Sequence, residues 1–191
     1  PRGGATGDPL STGLVIWTRA VPEGNSDGDV TVDWQVATDD AFANVVRSGS
    51  AITNASRDFT VKVDVDGLSP ATIYRYRFRK GDRTSPAGKG KTLPVGKVDA
   101  VRLAVLSCSN YPAGYFHVYA EVAKRTDLDA AIHLGDYIYE YASTGYASDK
   151  APALGRVSDP ANEIVLLADY RRRYAQYRSD PDLRNAHAAM A

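Results

Sequence analysis

The sequence predicts a multidomain protein in which an all-β sandwich is followed by the first part of an α/β domain. Its 191 residues can hold one large domain or two small ones, because a typical domain has roughly 100 to 200 residues. Positions 13–92 contain short runs in which every second residue is apolar, divided by turn residues, as in a small antiparallel sandwich. From Val101 the pattern changes to strand, helix, strand, which is typical of an α/β domain.

Three runs of alternating residues carry the prediction of the sandwich. In two of them, 30–36 and 59–65, valine or aromatic side chains alternate with polar or small ones. In the third, three aromatic residues alternate with three arginines, in the order Tyr74, Arg75, Tyr76, Arg77, Phe78 and Arg79. Because successive side chains of a strand point to opposite faces, each run predicts one buried and one solvated face.

The segment before the third run predicts a tyrosine corner. Pro70 stops any strand that precedes it, and Tyr74 follows at a spacing that suits the corner of a sandwich. The Tyr74 hydroxyl would then bond to backbone upstream. This pattern resembles the fibronectin type III module, so we expect a fibronectin-III-like sandwich, a fold that implies no particular chemistry.

We place the domain boundary at Gly96, which separates a sandwich at 1–96 from a second domain at 97–191. Residues 101–107 and 130–134 are apolar runs, and the segment between them carries apolar residues at helical spacing. This order predicts two parallel strands joined by a right-handed helical crossover.

Two Asp-Pro pairs, Asp159–Pro160 and Asp180–Pro181, each predict the start of a helix. The first helix should cover 161–177 and bury one stripe of side chains, formed by Ile164, Leu167 and Tyr174. Two parallel strands do not make a stable doubly wound sheet, so we expect the α/β domain to be incomplete within 97–191.

Composition excludes several classes of function. Lysine and arginine total 23 and aspartate and glutamate total 23, so the chain lacks the basic surface that nucleic-acid binding requires as a main role. No stretch approaches the roughly 20 consecutive apolar residues of a membrane span. A single cysteine, Cys108, rules out an intrachain disulfide.

The candidate site lies in the loops that follow the two predicted parallel strands. Ligands of open α/β sheets gather at the carboxyl ends of strands, so Cys108 and Asp136 should face one small volume. Tyr139 lies one helical turn beyond Asp136 and would converge with it if a short helix begins there. A thiolate, a carboxylate and a phenolate in one volume require a cation, which indicates a metal centre.

The same residues also fit purely structural roles, and the pattern alone does not decide between them. Cys108 can be a small buried residue, Asp136 a turn or cap residue, and Tyr139 part of a core. We expect His133 to bond to a neighbour rather than to a metal, and Arg171–Arg173 to face solvent.

At these positions the chain resembles the PhoD-like alkaline phosphatase family, phosphodiesterase-type metalloenzymes with a calcineurin-like catalytic domain. The resemblance covers essentially the whole chain in order. Its matching stretches are GDPL at 7–10, LVIWTR at 14–19, SCSNY at 107–111, GYF at 114–116 and HLGDYIYEY at 133–141.

The resemblance implies that Cys108 and Tyr139 help to bind a ferric ion (Fe3+) and that Asp136 bridges it to calcium (Ca2+). It implies metal-dependent hydrolysis of phosphomonoesters and phosphodiesters, with small-molecule or polymeric phosphate esters as substrates. No catalytic residue beyond these ligands is identified. Family members act outside the cytoplasm, so a secreted or periplasmic location is expected, often after export by the twin-arginine route.

The family's remaining ligands have no counterpart in this sequence. We therefore expect a fragment that is inactive alone and that needs the rest of the protein, as the same chain or as another chain. The alternative is a non-catalytic module whose sandwich docks to protein or glycan. Such a module gives no reason to place Cys108, Asp136 and Tyr139 together, so metal analysis would separate the two.

Overall fold

The computed structural model describes residues 3–24 and 27–190, and they divide into two compact units. The first unit contains residues up to 102 together with 127–130 and 187–190. The second contains 103–126 and 131–186. The predicted boundary at Gly96 stays a prediction.

The first unit is built from two antiparallel sheets. One sheet has three strands in the order β1-β2-β5, which are Gly4–Gly7, Leu14–Arg19 and Thr60–Val65. The other has five strands, in which β4-β3-β6-β7 are neighbours and β8 also pairs with β6. These strands are β3 Val30–Ala37, β4 Val45–Thr53, β6 Ile73–Lys80, β7 Arg83–Thr84 and β8 Gly88–Lys91.

Side chains from both sheets form one hydrophobic core, which confirms the predicted sandwich. Ile16 from β2, Val32 from β3 and Phe78 from β6 are all fully buried in it. The predicted tyrosine corner is also confirmed, because the backbone N–H of Ser69 donates to the Tyr74 hydroxyl at 2.8 Å. The specific likeness to fibronectin type III stays a prediction.

Two further strands, β9 (Leu103–Leu106) and β10 (Ala130–His133), form a separate two-stranded sheet. The N–H of Asp129 donates to the carbonyl of Arg102 at 2.8 Å, and that of Leu134 to Leu106 at 2.8 Å. From the first bonded pair to the second, the residue numbers increase along both strands, so the strands run in the same direction. They are therefore parallel, as predicted. Helix α1 (His117–Lys124) lies between them in sequence.

Three more helices follow, and none of the described helices is long and apolar enough to cross a membrane. They are α2 Ala151–Leu154, α3 Leu167–Tyr177 and α4 Pro181–Ala189. The predicted start of α4 is confirmed, because Asp180 Oδ1 accepts from the N–H of Asp182 at 3.0 Å and of Leu183 at 3.2 Å. Such an acceptor satisfies N–H groups that have no partner inside the helix.

The predicted helix over 161–177 is wrong in its first part. Helix α3 begins only at Leu167, and Asp159–Pro160 lies in irregular structure. The carbonyls of Asp159 and Pro160 accept hydrogen bonds from the Arg173 guanidinium at 3.1 and 2.9 Å, which holds this segment outside the helix. The helix start is capped instead by Asp169, whose carboxylate accepts from the Leu166 N–H at 3.2 Å.

The predicted buried stripe of this helix is also wrong. Ile164 is buried but precedes the helix, whereas Leu167 and Tyr174 are 66% and 45% exposed. The buried side chains are Arg173 and Tyr177, which lie four residues apart and therefore share one face. Arg173 thus corrects the expectation that all three consecutive arginines face solvent.

Candidate metal centre

The loops after β9 and β10 run side by side beyond the strand ends. The N–H of Cys108 donates to the carbonyl of Gly135 at 3.1 Å, and that of Ser109 to Asp136 at 2.8 Å. Cys108 and Asp136 both have left-handed backbone conformations, with φ of 59° and 53°. Such conformations are uncommon for residues other than glycine and cluster at functional sites.

The structure brings all three predicted residues together around one oxygen atom. The Cys108 Sγ lies 3.5 Å and the Tyr139 Oη 3.3 Å from Asp136 Oδ2. Segment 134–142 contains bends instead of the short helix that was expected, yet Tyr139 still reaches Asp136. The assignment of these residues as metal ligands stays a prediction.

Burial at the centre excludes one of the structural roles considered for these residues. Cys108 and Asp136 are exposed, and Tyr139 is half-buried, so Cys108 is not a small core residue. Desolvation, the hydrogen bond with Cys108 and the charge of Asp136 raise the pKa of the Tyr139 phenol. The phenol therefore needs a nearby cation if it is to ionise at neutral pH.

The donor set is small within the described part of the chain. Across 3–24 and 27–190, no group of three or more His, Cys, Asp or Glu side chains is arranged to hold a metal ion. At the centre itself, the described donors are the Cys108 thiol, the Asp136 carboxylate and the Tyr139 phenol. Three donors of this kind are fewer than the six to eight oxygen ligands that calcium usually takes.

A hydrogen-bond network lies directly behind the two loops. His133 Nε2 is 3.1 Å from Ser109 Oγ and 3.0 Å from Tyr119 Oη, and Ser109 and Tyr119 also bond to each other. His133 therefore bonds to neighbours, as expected. Ser109 is 4% exposed, so this network fixes the loop next to Cys108 from the buried side.

Arg173 is a supporting residue that the sequence did not reveal. Its guanidinium donates to the carbonyls of Tyr139 and, at 3.2 Å, of Tyr141. The side chain is 1% exposed. It therefore fixes the backbone of Tyr139. Three consecutive arginines in a sequence indicate a solvent-exposed helix face, so the sequence did not predict this role.

Arg156 supports the other loop and was also missed. It donates to the Tyr111 carbonyl at 2.8 Å, pairs with Asp180 at 2.7 Å, and stacks 3.7 Å from the centre of the Tyr111 ring. The Tyr111 N–H donates to the Tyr177 hydroxyl at 3.0 Å. These contacts fix the short 3-10 turn at Tyr111–Ala113, which follows Cys108 by three residues.

Comparisons with known proteins agree over almost the whole chain. A family model for the N-terminal domain of PhoD-like phosphatase matches residues 1–94, and one for PhoD-like phosphatase matches 103–191. The chain is 44% identical over 195 residues to alkaline phosphatase D of Bacillus subtilis (strain 168), covering 98% of this chain and 33% of that protein.

A solved structure of PhoD is similar in three dimensions as well as in sequence. It is 43% identical, matches with a TM-score of 0.91, and the match covers 98% of this chain and 37% of that one. The chain therefore spans about a third of the length of these relatives. It belongs to the PhoD-like phosphatase family.

Proposed function

We propose that this chain is part of a metal-dependent enzyme that hydrolyses phosphate esters at the centre formed by Cys108, Asp136 and Tyr139. The observation that carries the proposal is the approach of the Cys108 thiol and the Tyr139 phenol to one carboxylate oxygen of Asp136. In this proposal, the parallel strands belong to the first part of a calcineurin-like metallophosphatase domain. Kinship with alkaline phosphatase D supports it.

The donor chemistry fits the two metal ions that we assign to this centre. We propose that Cys108 and Tyr139 bind ferric iron, since a thiolate and a phenolate suit a Lewis-acidic transition metal. Asp136 would bridge to calcium, which prefers oxygen. No described residue donates a hydrogen bond to Asp136 Oδ1, so this oxygen is available for the second ion. Further ligands must come from elsewhere in the protein.

The residues of this chain would hold and orient the centre during hydrolysis. When bound, the ions would offset the charge that develops on the phosphate oxygens. Asp136 would help to hold both ions, with its Oδ2 next to the Cys108 thiol and the Tyr139 phenol. The network of Ser109, His133 and Tyr119 keeps the two loops in register, so the donors are in place before substrate arrives.

The proposed substrates are phosphomonoesters and phosphodiesters, either small molecules or polymers. The proposed location of the protein is secreted or periplasmic. Residues 1–191 alone should be inactive, because three donors do not complete a two-metal site. Nucleic-acid binding is not part of the proposal, since lysine and arginine are balanced by aspartate and glutamate.

One observation favours the alternative of a docking module. The outer face of the five-stranded sheet has an open groove of about 410 Å³, lined partly by Asp33, Gln35, Arg77 and Arg79. A groove of this polarity suits a hydroxyl-bearing ligand such as a glycan. A docking module needs no metal at Asp136, so the test below separates the two functions.

The test is the substitution Asp136→Asn in the full-length protein, with Asp149→Asn as a matched exposed control. Asp136→Asn should abolish hydrolysis of phosphate esters and lower the bound iron and calcium, because the amide cannot bridge two cations as the carboxylate does. Turnover and elemental analysis measure both effects. Wild-type turnover and metal content in Asp136→Asn would contradict the proposal.

A further inference from the structure

Three tyrosine rings pack around one another beside the candidate centre. The ring centres of Tyr139 and Tyr141 are 6.0 Å apart, those of Tyr139 and Tyr146 are 6.2 Å apart, and those of Tyr141 and Tyr146 are 5.8 Å apart. We call these residues the tyrosine cluster. Tyr139 joins it to Asp136, whereas Tyr141 and Tyr146 remain 41% and 63% exposed.

A tight turn brings the exposed rings together. The N–H of Gly145 donates to the carbonyl of Ala142 at 2.8 Å, which reverses the chain between Tyr141 and Tyr146. A Cβ added at Gly145 would lie 2.8 Å from the Tyr141 Cβ, closer than such atoms approach. Glycine is therefore required for this turn to close.

Both sides of the tyrosine cluster are anchored. Arg173 donates to the carbonyls of Tyr139 and Tyr141. On the other side, the Asn110 side-chain amide lies 3.4 Å from the carbonyl of Tyr146, and Asn110 is only two residues from Cys108. The backbone that carries the three rings is thus anchored on both sides, although Tyr146 itself is little buried. Exposed apolar patches mark contact surfaces, and ligand-binding grooves are among them.

We propose that Tyr141 and Tyr146 bind the leaving group of the substrate when that group carries a ring with a flat apolar face. This inference rests on the proposed function, because it places the phosphate at Asp136. Tyr139 contacts Asp136 and both other rings, so a leaving group that extends from the phosphate toward Tyr139 meets the exposed faces of Tyr141 and Tyr146. Aromatic faces stack on aryl rings and on the apolar face of sugar rings.

The test compares benzyl phosphate with ethyl phosphate in the full-length protein with its metals. Their leaving alcohols have similar acidity, so the ratio of kcat/KM values reports contact with the ring. Tyr146→Ala should lower the benzyl-to-ethyl ratio by about three- to tenfold, the range expected for one lost aromatic contact. Tyr170→Ala, which removes a 38% exposed tyrosine from α3, should leave the ratio unchanged.

A second variant tests the geometry without deleting a ring. Gly145→Ala should displace Tyr146 and lower the same ratio, with thermal unfolding confirming that the protein remains folded. A third substrate, a sugar 6-phosphate, identifies the kind of ring. If the variants lower kcat/KM for this ester relative to ethyl phosphate as they do for benzyl phosphate, the ring is a sugar. If kcat/KM for this ester is retained, the ring is an aryl group. Equal losses of kcat/KM for all three esters in both variants would overturn the inference.

Binding separates this inference from the proposed function. Calorimetry with benzylphosphonate and ethylphosphonate should show a preference for the benzyl compound that Tyr146→Ala removes. If this preference is found in a protein that hydrolyses no ester, the ring-binding surface stands and the proposed hydrolysis fails. If hydrolysis depends on Asp136 but neither the preference nor the ratio changes in Tyr146→Ala, the ring-binding surface fails alone.

Discussion

The Arg173 guanidinium is buried and surrounded by backbone carbonyls. It donates to the carbonyls of four residues: Tyr139, Tyr141, Asp159 and Pro160. A buried charge is tolerated only when its hydrogen bonds are satisfied, and a guanidinium supplies five donors in a planar fork. Arg173 therefore joins the segment that carries Tyr139 to the irregular segment before α3.

Replacing Arg173 should loosen the segment that carries Tyr139. In Arg173→Met, carbonyls that are buried around the guanidinium lose their donor, which we expect to lower the local free energy of opening by about 3 kcal/mol. Amide hydrogen exchange of residues 137–142 should then become about a hundredfold faster. Mass spectrometry of the full-length protein measures this exchange.

The matched control is Arg172→Met. The Arg172 side chain is 64% exposed and pairs with Asp159, itself 46% exposed, and such surface pairs contribute only about 0–1 kcal/mol. Exchange in 137–142 should stay near the wild-type rate in this control. Similar exchange rates in the two variants would refute the positioning role of Arg173.

Individual site residues differed in how far the sequence could predict them. Cys108 and Asp136 follow apolar runs, so the topology of parallel strands was enough to place them together. Arg173 and Arg156 could not be found in this way, because their roles depend on carbonyls and rings from distant segments. A charged residue in a polar stretch gives no periodic signal of burial.

At the scale of elements, the same dipeptide had two outcomes. Asp180 caps α4 through its carboxylate, whereas Asp159 uses its carboxylate to pair with Arg172 and its carbonyl to bind Arg173. An Asp-Pro pair predicts a helix start only when its carboxylate is not taken by another partner. The period-two runs of the sandwich were more reliable, because their alternation directly reports which face is buried.

Strands β9 and β10 expose apolar side chains on the sheet that carries the candidate centre. Val105 of β9 is 58% exposed, and Ile132 of β10 is 43% exposed. Strands of parallel sheets are usually covered on both faces, and large exposed apolar patches mark contact surfaces. We therefore expect these side chains to be covered by other parts of the full-length protein.

For the molecule as a whole, the number of donors at the candidate centre limits what residues 1–191 can do alone. Cys108, Asp136 and Tyr139 are too few to complete a two-metal site, so residues 1–191 in isolation should hydrolyse no phosphate ester and retain little iron or calcium. The measurement compares turnover and metal content of this chain with those of the full-length protein under identical conditions. Comparable turnover would show that the ligand count is wrong.

The visible absorption of the full-length protein as purified tests whether Tyr139 binds ferric iron. A phenolate bound to ferric iron gives a charge-transfer band, so we expect the wild type to show this band and Tyr139→Phe to lose it. Tyr146→Phe, which alters a neighbouring ring outside the assigned ligand set, should retain the band. An unchanged band in Tyr139→Phe, with iron still bound, would contradict the assignment of Tyr139 and with it the proposed centre.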